Sequence, residues 1–264
     1  MLNPPVVWTI AGYDPSSGAG ITADLKTISA HACYGVSAIT ALTVQNTLGV
    51  RRVSAIAPET LSEILQALLD DFPPMAIKVG MLATAENATI VADFLSALPS
   101  PHPPVVLDPI LLSSSGAVLL EEAGVHMLRQ RLLPLATVVT PNLAEARVLT
   151  GLAEADPETL ATGLRRLGAQ AAVVTGGDTG NDASDTLAYV MGGIECVETL
   201  FAARIESRAT HGTGCAFSTA LACGLAMGQS IPAAATSAKL FVRRAIEQAP
   251  GLGKGKGPLG LDRV

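Results

Sequence analysis

Residues 210–219, Thr210-His211-Gly212-Thr213-Gly214-Cys215-Ala216-Phe217-Ser218-Thr219, join a glycine-rich turn directly to an apolar run of helical length. Gly212 and Gly214 carry no Cβ, so the backbone between them can bring successive amides close to a ligand. The residues from Ala216 to Met227 are small and apolar enough to form a buried helix. A helix that starts here directs its first amides and the positive end of its dipole at the turn. The turn therefore predicts a site for a phosphate or for a developing negative charge.

Cys215 lies at the predicted start of this helix. A thiol at a helix N-terminus has its thiolate stabilised, so Cys215 is a candidate base near neutral pH. The alternative is an ordinary glycine turn that leads into a core helix with a buried, inert cysteine. The turn alone does not separate these two interpretations.

The composition limits the classes of function. The chain has 264 residues, of which 15% are charged and 49% hydrophobic, so much of it must be buried. A net charge of −6 and the lack of a basic run argue against nucleic acid as a partner. The four cysteines show no CxxC or zinc-finger spacing, and residues 1–10 do not resemble a signal peptide. These features predict reduced thiols in a cytoplasmic protein.

The segment between Arg208 and Lys239 contains no Asp, Glu, Lys or Arg. Glycines, polar residues and Pro232 interrupt it, however, and its longest apolar piece is too short to span a bilayer. We therefore expect no membrane association.

Strand-like and helix-like segments alternate along the whole chain, and no linker is long enough to divide them. This order predicts one domain over residues 1–264, with a mostly parallel central sheet between two helical layers, a three-layer α/β/α fold. The predicted strands are 6–10, 36–44, 76–79, 105–107, 136–139 and 171–174, with 48–57 as a small β-flap and 186–190 and 195–200 as antiparallel additions at the edge. The predicted helices are 21–32, 58–71, 86–97, 124–133, 157–167, 216–227 and 232–248.

Several polar residues stand near the carboxyl ends of the predicted strands, where open parallel sheets bind their ligands. Asp24 could bind a substrate hydroxyl or amino group, or lie on a solvated helix face. Gln45 could read a heteroaromatic ring through one donor and one acceptor, or cap a turn. Asp108 could hold a magnesium-bound water or cap a loop. Asn142 could cap the next helix, and Glu145 could reach a magnesium-phosphate group.

Four blocks of sequence carry a resemblance to a known family, namely residues 11–27, 41–47, 140–145 and 211–215. In the same order and at similar separations they resemble the hydroxymethylpyrimidine/phosphomethylpyrimidine kinases, the thiamine-pathway branch of the ribokinase-like proteins. The Gly-Lys-Gly-Lys-Gly-Pro tail at residues 253–258 is similar too. The resemblance extends from Val6 to Pro258, and it implies a ribokinase-like fold.

The resemblance also implies an activity and a set of site residues. The activity is phosphorylation by ATP, with Mg²⁺, of 4-amino-5-hydroxymethyl-2-methylpyrimidine and then of its monophosphate. Cys215 would be the base, and the amides of Gly212, Thr213 and Gly214 would form an anion hole. The pyrimidine would be surrounded by Gly12, Asp24, Gln45, Met81 and Ile110. The magnesium-triphosphate would meet Asp108, Asn142 and Glu145, with Asp108 and Glu145 at the metal, and Thr175, Thr213 and Lys239 would lie near the nucleotide.

The chain departs from the family pattern at two positions. Thr175 stands before Gly176-Gly177 where the family usually carries a lysine. Either magnesium and Lys239 supply the missing charge, or turnover is slower, or the substrate differs. Ser17 replaces a common glycine, which is a small change unless the turn needs a positive φ.

Two other functions and several structural questions stay open. A vitamin B6 kinase of the same fold would also act on a hydroxymethyl group of a heteroaromatic ring, and a non-catalytic binding relative would tolerate Thr175. Residues 48–57 and the loop from Gly177 to Ser184 are candidate lids. The large apolar fraction is compatible with a homodimer.

Overall fold

The computed structural model describes residues 3–113, 115–176 and 182–264. The strands that the structure describes are β1 Val6–Tyr13, β2 Tyr34–Asn46, β3 Gly49–Ala55, β4 Ala76–Val79, β5 Val105–Leu107, β6 Val138–Val139, β7 Ala171–Val174, β8 Asp185–Met191 and β9 Ile194–Leu200. They form a single sheet in the order β3-β2-β1-β4-β5-β6-β7-β8-β9. The strands from β2 to β7 in this order run parallel, whereas β3, β8 and β9 join by antiparallel pairing.

Helices cover both faces of the sheet, because alternate strand residues point to opposite sides. The helices are α1 Gly20–Ala30, α2 Pro58–Asp71, α3 Ala85–Ala97, α4 Glu122–Met127, α5 Leu143–Thr150, α6 Pro157–Arg166, α7 Thr213–Ala226 and α8 Ile231–Glu247. Trp8 and Ile10 of β1 pack in one apolar core with α2, α3, α5 and α6, whereas Val7 packs in the other with α1, α7 and α8. The predicted three-layer α/β arrangement is therefore confirmed.

Most predicted elements lie within a few residues of the observed ones, and two differ in kind. The helix predicted over 124–133 is a short α4 that continues as a π-turn, Leu128–Leu132, and a 3₁₀ turn, Leu133–Leu135. Pro134 within the last turn has no amide hydrogen and cannot continue an α-helix. The segment predicted as a small β-flap contains one strand, β3. This strand pairs with β2, which extends as far as Asn46.

The apolar helix α7 begins at Thr213, three residues before the predicted start. Gly212 caps it in the left-handed conformation, with φ of 83°. A side chain at Gly212 would also collide with the carbonyl oxygen of Gly18. Both the left-handed φ and the close approach to Gly18 therefore require a glycine at position 212. The close approach also holds the start of α7 against the loop between β1 and α1.

Among the described helices, none combines the length and the hydropathy that a bilayer-spanning segment needs.

Candidate active site

A cavity of about 590 Å³ lies at the carboxyl ends of the parallel strands, near the neighbouring strands β1 and β4. After β1 the chain continues to β2 on one side of this pair, and after β4 it continues to β5 on the other side. This reversal of strand order is where open α/β sheets bind ligands. The cavity brings together residues that are far apart in sequence. Twelve of the predicted site residues line it, namely Gly12, Gln45, Met81, Asp108, Ile110, Asn142, Glu145, Thr175, Gly212, Thr213, Gly214 and Cys215.

The start of α7 opens directly on this cavity. Ala216 is the first residue whose amide donates to a carbonyl across the cap, that of Gly212, at 2.9 Å. The three preceding residues, Thr213, Gly214 and Cys215, line the cavity. Amides at this position of a helix point away from its axis toward whatever occupies the site. The structure thus provides the geometry of an anion site at the predicted place.

Cys215 lies on the cavity wall and is 6% exposed. Burial raises the pKa of its thiol to about 12, although the Lys78 ammonium and the Gly20 amide act in the opposite direction. Asp108 and Asp24 raise the pKa further. Burial and the two carboxylates therefore favour the neutral thiol in the ligand-free protein, and the role of Cys215 as a base stays a prediction.

A fully buried lysine, Lys78 on β4, organises the charges beneath the cavity. Its Nζ lies 2.9 Å from Asp24 Oδ2 and 3.9 Å from Asp108 Oδ2. Burial alone lowers the pKa of this ammonium, but Asp24, Cys215 and Asp108 raise it above its ordinary value. Lys78 was not among the sequence-predicted site residues, although the sequence carries one signal for it, a single charged residue inside an apolar strand, which is rarely buried without a partner.

Asp24 does not contact the cavity, and the prediction that it binds the substrate is corrected. Its side chain is completely buried. Oδ2 accepts from Thr9 Oγ1 at 2.6 Å and from Lys78, and Oδ1 accepts from Thr219 Oγ1 at 2.8 Å. These three donors from β1, β4 and α7 hold Asp24 as a structural anion.

Asp108, just after β5, contacts both the buried network and the cavity. Its Oδ2 accepts from Ser218 Oγ of α7 at 3.1 Å. Burial raises the pKa of Asp108, and Lys78 and Ser218 counteract this rise. Asp108 is therefore placed to present a carboxylate to the cavity while Lys78 and α7 hold it in position.

Asn142 and Glu145 form a capping box at the start of α5. Asn142 Oδ1 accepts from the Glu145 amide at 2.9 Å, and Glu145 Oε2 accepts from the Asn142 amide at 3.0 Å. Glu145 Oε1 also accepts from the Leu111 amide at 3.3 Å. The helix-cap interpretation of Asn142 is confirmed. Both side chains nevertheless line the cavity, so the cap also fixes the direction of the Glu145 carboxylate.

A hydrogen-bonded pair that was not among the sequence-predicted site residues lies beside the glycine turn at residues 212–214. His211 Nε2 is 2.8 Å from Asp14 Oδ2. Burial tends to raise the pKa of Asp14, but hydrogen bonds from His211, Ser16 and Gln45 hold it well below its usual range. Asp14 also accepts from the Gly18 and Ala19 amides at 3.2 and 3.0 Å. The carboxylate thereby orders the β1–α1 loop and orients the His211 ring at the cavity.

Ser17, in the same loop, has φ of 58°. This is the left-handed region, which a glycine adopts more easily than a serine. The substitution at position 17 therefore introduces local strain, which hydrogen bonds from neighbouring residues to Asp14 offset.

A smaller cavity of about 170 Å³ adjoins the first and shares Thr175, Thr210, Thr213 and Gly214 with it. Its remaining lining is largely apolar and includes Phe217, Val242 and Ile246, together with Lys239, Arg204 and Arg243. Such a pocket, apolar with a few polar groups, is typical of sites for small aromatic ligands.

Lys239 lies in this smaller cavity, where its ammonium is already neutralised. Nζ is 2.6 Å from Asp185 Oδ2, and it also donates to the Ala183 carbonyl. Asp185 Oδ1 accepts in turn from the Gly176 amide at 3.1 Å, next to Thr175. Lys239 therefore brings little net positive charge to the site, which weakens the interpretation that it replaces the lysine missing at position 175.

The role of both candidate lids stays a prediction. Thr47, in the turn that follows β2, accepts from the amides of Lys254 and Gly255 in the C-terminal tail, each at 3.2 Å. The turn that leads into the flap is thus attached to the tail, and the role of the flap as a lid stays a prediction. Of the loop from Gly177 to Ser184, residues 177–181 lie outside the described residues.

Comparisons with known proteins identify the family to which the chain belongs. Residues 14–260 match a family model described as phosphomethylpyrimidine kinase. The chain is 42% identical over 259 residues, 97% of each chain, to a hydroxymethylpyrimidine/phosphomethylpyrimidine kinase of Synechococcus elongatus.

Solved structures of similar proteins confirm the predicted ribokinase-like fold. A phosphomethylpyrimidine kinase from Clostridium difficile is 34% identical, with a TM-score of 0.77, over 92% of this chain and 99% of that one. A pyridoxal kinase from Staphylococcus aureus, solved with ADP, is 32% identical, with a TM-score of 0.88, over 98% and 94%. Both the pyrimidine and the vitamin B6 alternatives are therefore represented among proteins of this fold.

Proposed function

Because the chain belongs to the phosphomethylpyrimidine kinase family, we propose that it transfers the γ-phosphoryl group of ATP to 4-amino-5-hydroxymethyl-2-methylpyrimidine. A second transfer to the resulting monophosphate then gives the diphosphate. The observation that carries this proposal is the single cavity in which the start of α7, Cys215 and Gln45 meet. That cavity combines an anion site, a proton acceptor and a carboxamide able to bind a heterocycle.

The nucleotide binds across the two adjoining cavities. The apolar lining by Phe217, Val242 and Ile246 suits the adenine ring, and Thr175 and Thr213 stand at the passage toward the larger cavity. The triphosphate then extends along the start of α7, whose dipole and amides favour negative charge. Nucleotide complexes of similar kinases support ATP as the phosphoryl donor.

Magnesium fits the donors that the cavity offers. Among the described residues no group of three or more His, Cys, Asp or Glu could hold a metal ion by itself. Mg²⁺ in phosphoryl-transfer enzymes usually takes only one or two carboxylates together with substrate phosphates and waters. Asp108 and Glu145 both present carboxylates to the cavity. They would hold Mg²⁺ with the triphosphate, where the ion supplies charge neutralisation.

The chain's own contribution to the first transfer is positioning and charge stabilisation. The amides at the start of α7 stabilise the charge on the transferring group. Cys215 first loses its own proton to solvent, and the resulting thiolate accepts the proton of the substrate hydroxyl as its oxygen attacks the γ-phosphorus and the bond to ADP breaks. With a thiol pKa of about 12, ionisation of Cys215 costs free energy, and the neighbouring Lys78 ammonium reduces that cost.

Gln45 and Met81 select the acceptor. Both line the cavity, and the Gln45 side chain is held near Asp14 by hydrogen bonding. One carboxamide can donate to a ring nitrogen while accepting from the neighbouring amino group. A pyrimidine with an exocyclic amine satisfies both, whereas a pyridine ring without that amine leaves the amide oxygen unsatisfied.

A coupled assay of ADP release with three acceptors tests the proposal. We expect turnover with the pyrimidine alcohol and with its monophosphate, and a lower kcat/KM with pyridoxal. A higher kcat/KM with pyridoxal would favour the vitamin B6 kinase instead. ADP release with none of the three acceptors would favour a non-catalytic binding protein.

We also propose that residues 1–264 act as one domain and assemble as a homodimer in the cytoplasm. Exposed apolar side chains on the edge hairpins, including Leu48 and Ile194, support association through a sheet edge. Light scattering coupled to size exclusion tests the dimer. A monomer at micromolar concentration contradicts it.

A further inference from the structure

Lys256 in the C-terminal tail stands where two cavities meet. One is the cavity of about 590 Å³ that contains Cys215, and the other is a cavity of about 270 Å³ beneath the β2–β3 turn. Gln45, Ser113, His211 and Lys256 line both. Among the described residues that line either one, Lys256 is the sole lysine or arginine. Among the described lining residues of these two cavities, Lys256 is therefore the one lysine or arginine that a phosphate group on the acceptor could meet.

The tail that carries Lys256 is fixed to the rest of the site. The Lys254 and Gly255 amides donate to Thr47 Oγ1, and the His211 amide donates to the Gly257 carbonyl at 3.2 Å. A side chain at Gly255 would collide with the Thr47 carbonyl oxygen, so the loop lies directly against the flap. Lys256 is thus flanked on both sides by anchored backbone, which limits the entropy lost when its ammonium meets an anion.

The position of Lys256 assigns it to the acceptor rather than to the nucleotide. The apolar cavity with Lys239, Arg204 and Arg243 joins the larger cavity at Thr175, Thr210, Thr213 and Gly214, and Lys256 is absent from its lining. Lys256 instead shares its cavities with Gln45, the residue proposed to bind the pyrimidine. The donor phosphates and Lys256 therefore approach the transfer site from opposite ends.

The second transfer also needs space that the first does not. In the first transfer the attacking oxygen belongs to the hydroxymethyl group, whereas in the second it belongs to the phosphate attached there. If the start of α7 holds the γ-phosphoryl group in the same place, the ring must move away from α7 by the length of that phosphate. The cavity beneath the β2–β3 turn lies on the Gln45 side and is contiguous with the acceptor site, so it provides this space.

We propose that Lys256 binds the phosphate of the monophosphate acceptor and thereby determines specificity for the second transfer. This inference rests on the proposed function. His211, oriented by Asp14, lines the same junction. A phosphate monoester carries close to two negative charges at neutral pH, because its second pKa is about 6. Its charge-assisted hydrogen bond to an ammonium is stronger than the neutral contact that the alcohol could make.

The test compares Lys256→Met with Lys254→Met. Lys254 is an exposed lysine of the same loop, and its side chain lines neither cavity. For Lys256→Met we expect kcat/KM to fall by about 10- to 100-fold with the monophosphate, the range of one charge-assisted hydrogen bond. The loss with the alcohol should be much smaller, and Lys254→Met should match the wild type with both acceptors. Lys256→Arg should restore part of the loss.

Calorimetric titration of the monophosphate without nucleotide separates binding from chemistry. The dissociation constant should rise in Lys256→Met and stay at the wild-type value in Lys254→Met. Equal losses with both acceptors, or a Lys256→Met variant that matches Lys254→Met, would overturn the inference. Wild-type protein that does not phosphorylate the monophosphate would instead contradict the proposed function. Thermal unfolding of each variant checks that the tail remains docked.

Discussion

Replacement of Lys78 by methionine is the sharpest test of the buried charge network. Methionine conserves much of the side-chain length but removes the ammonium that lies 2.9 Å from Asp24 and 3.9 Å from Asp108. The side chains of Lys78 and Asp24 are completely buried, so water cannot replace the lost partner. We therefore expect Lys78→Met to destabilise the fold strongly.

The magnitude follows from comparing two kinds of ion pair. Removal of one partner from a buried pair typically costs about 3–5 kcal/mol, because an uncompensated charge remains inside the protein. Thr9 and Thr219 still donate to Asp24 in the variant, which places the expected loss toward the lower end, at about 3 kcal/mol. Protonation of Asp108, whose pKa burial already raises, would relieve part of the repulsion between Asp24 and Asp108.

Lys26→Met is the matched control. Lys26 forms a salt bridge with Asp262 at 3.4 Å, but the two side chains are 38% and 67% exposed. A surface pair of this kind contributes about 0–1 kcal/mol. Both variants lose one lysine, but Lys78→Met loses two buried ion pairs and Lys26→Met loses one exposed pair, so burial is the main difference.

Urea denaturation measures both free energies of unfolding. The double variant Asp24→Asn, Lys78→Met should recover part of the loss, since Asp24 then no longer carries an uncompensated charge and only Asp108 is left without the ammonium. A Lys78→Met variant within about 1 kcal/mol of Lys26→Met would refute the reasoning. So would a double variant that is less stable than the sum of the two single changes.

Three further predictions concern the cavity. Cys215→Ala should lower kcat with the alcohol by about 10²–10⁴-fold, and less with the monophosphate, whose attacking oxygen is already largely deprotonated; equal losses in single-turnover assays would contradict a base. Asp14 has a pKa lowered from 3.8 in the folded protein, so the stability it contributes is present above about pH 4 and is lost as the pH falls toward the folded pKa. Asp14→Asn should therefore destabilise most at neutral pH, and a loss unchanged down to about pH 3 in urea titrations would argue against it. Gly212→Ala should cost about 1–3 kcal/mol and weaken ATP binding in calorimetry, because φ is 83° and the new Cβ meets Gly18; unchanged stability and affinity would be inconsistent with the strained cap.

The sequence predicted the fold well because the parallel strands are buried on both faces. Such strands appear as short apolar runs, and β4, β5 and β7 begin and end where the runs do. The boundaries of α4 and β6 were harder to predict. Pro134 leads into a tightened turn, and the pairing of β6 depends on its neighbours, which a local pattern does not show.

Most residues that line the site could be predicted from the sequence. Their burial and their pKa values were harder to predict. The glycine turn and the polar residues at strand ends are local signals, and they line one cavity as expected. Asp24 was misplaced because its helical position is compatible with solvent or ligand, and only the packing of α7 and β4 shows that it is buried. The pKa of Cys215 depends on burial and on charges from three distant segments.

The distribution of cations suggests how the site handles a polyphosphate. Lys78 lies beneath the larger cavity and Lys239 lines the smaller one, and each is held by a buried aspartate, Asp24 and Asp185 respectively. A lysine committed to an aspartate neutralises little additional charge on a ligand. Charge on the transferring group is therefore left mainly to the backbone at the start of α7 and to a metal ion held with the triphosphate. A rate that depends steeply on free Mg²⁺, and remains steep in Lys239→Met, is what this division of charge requires.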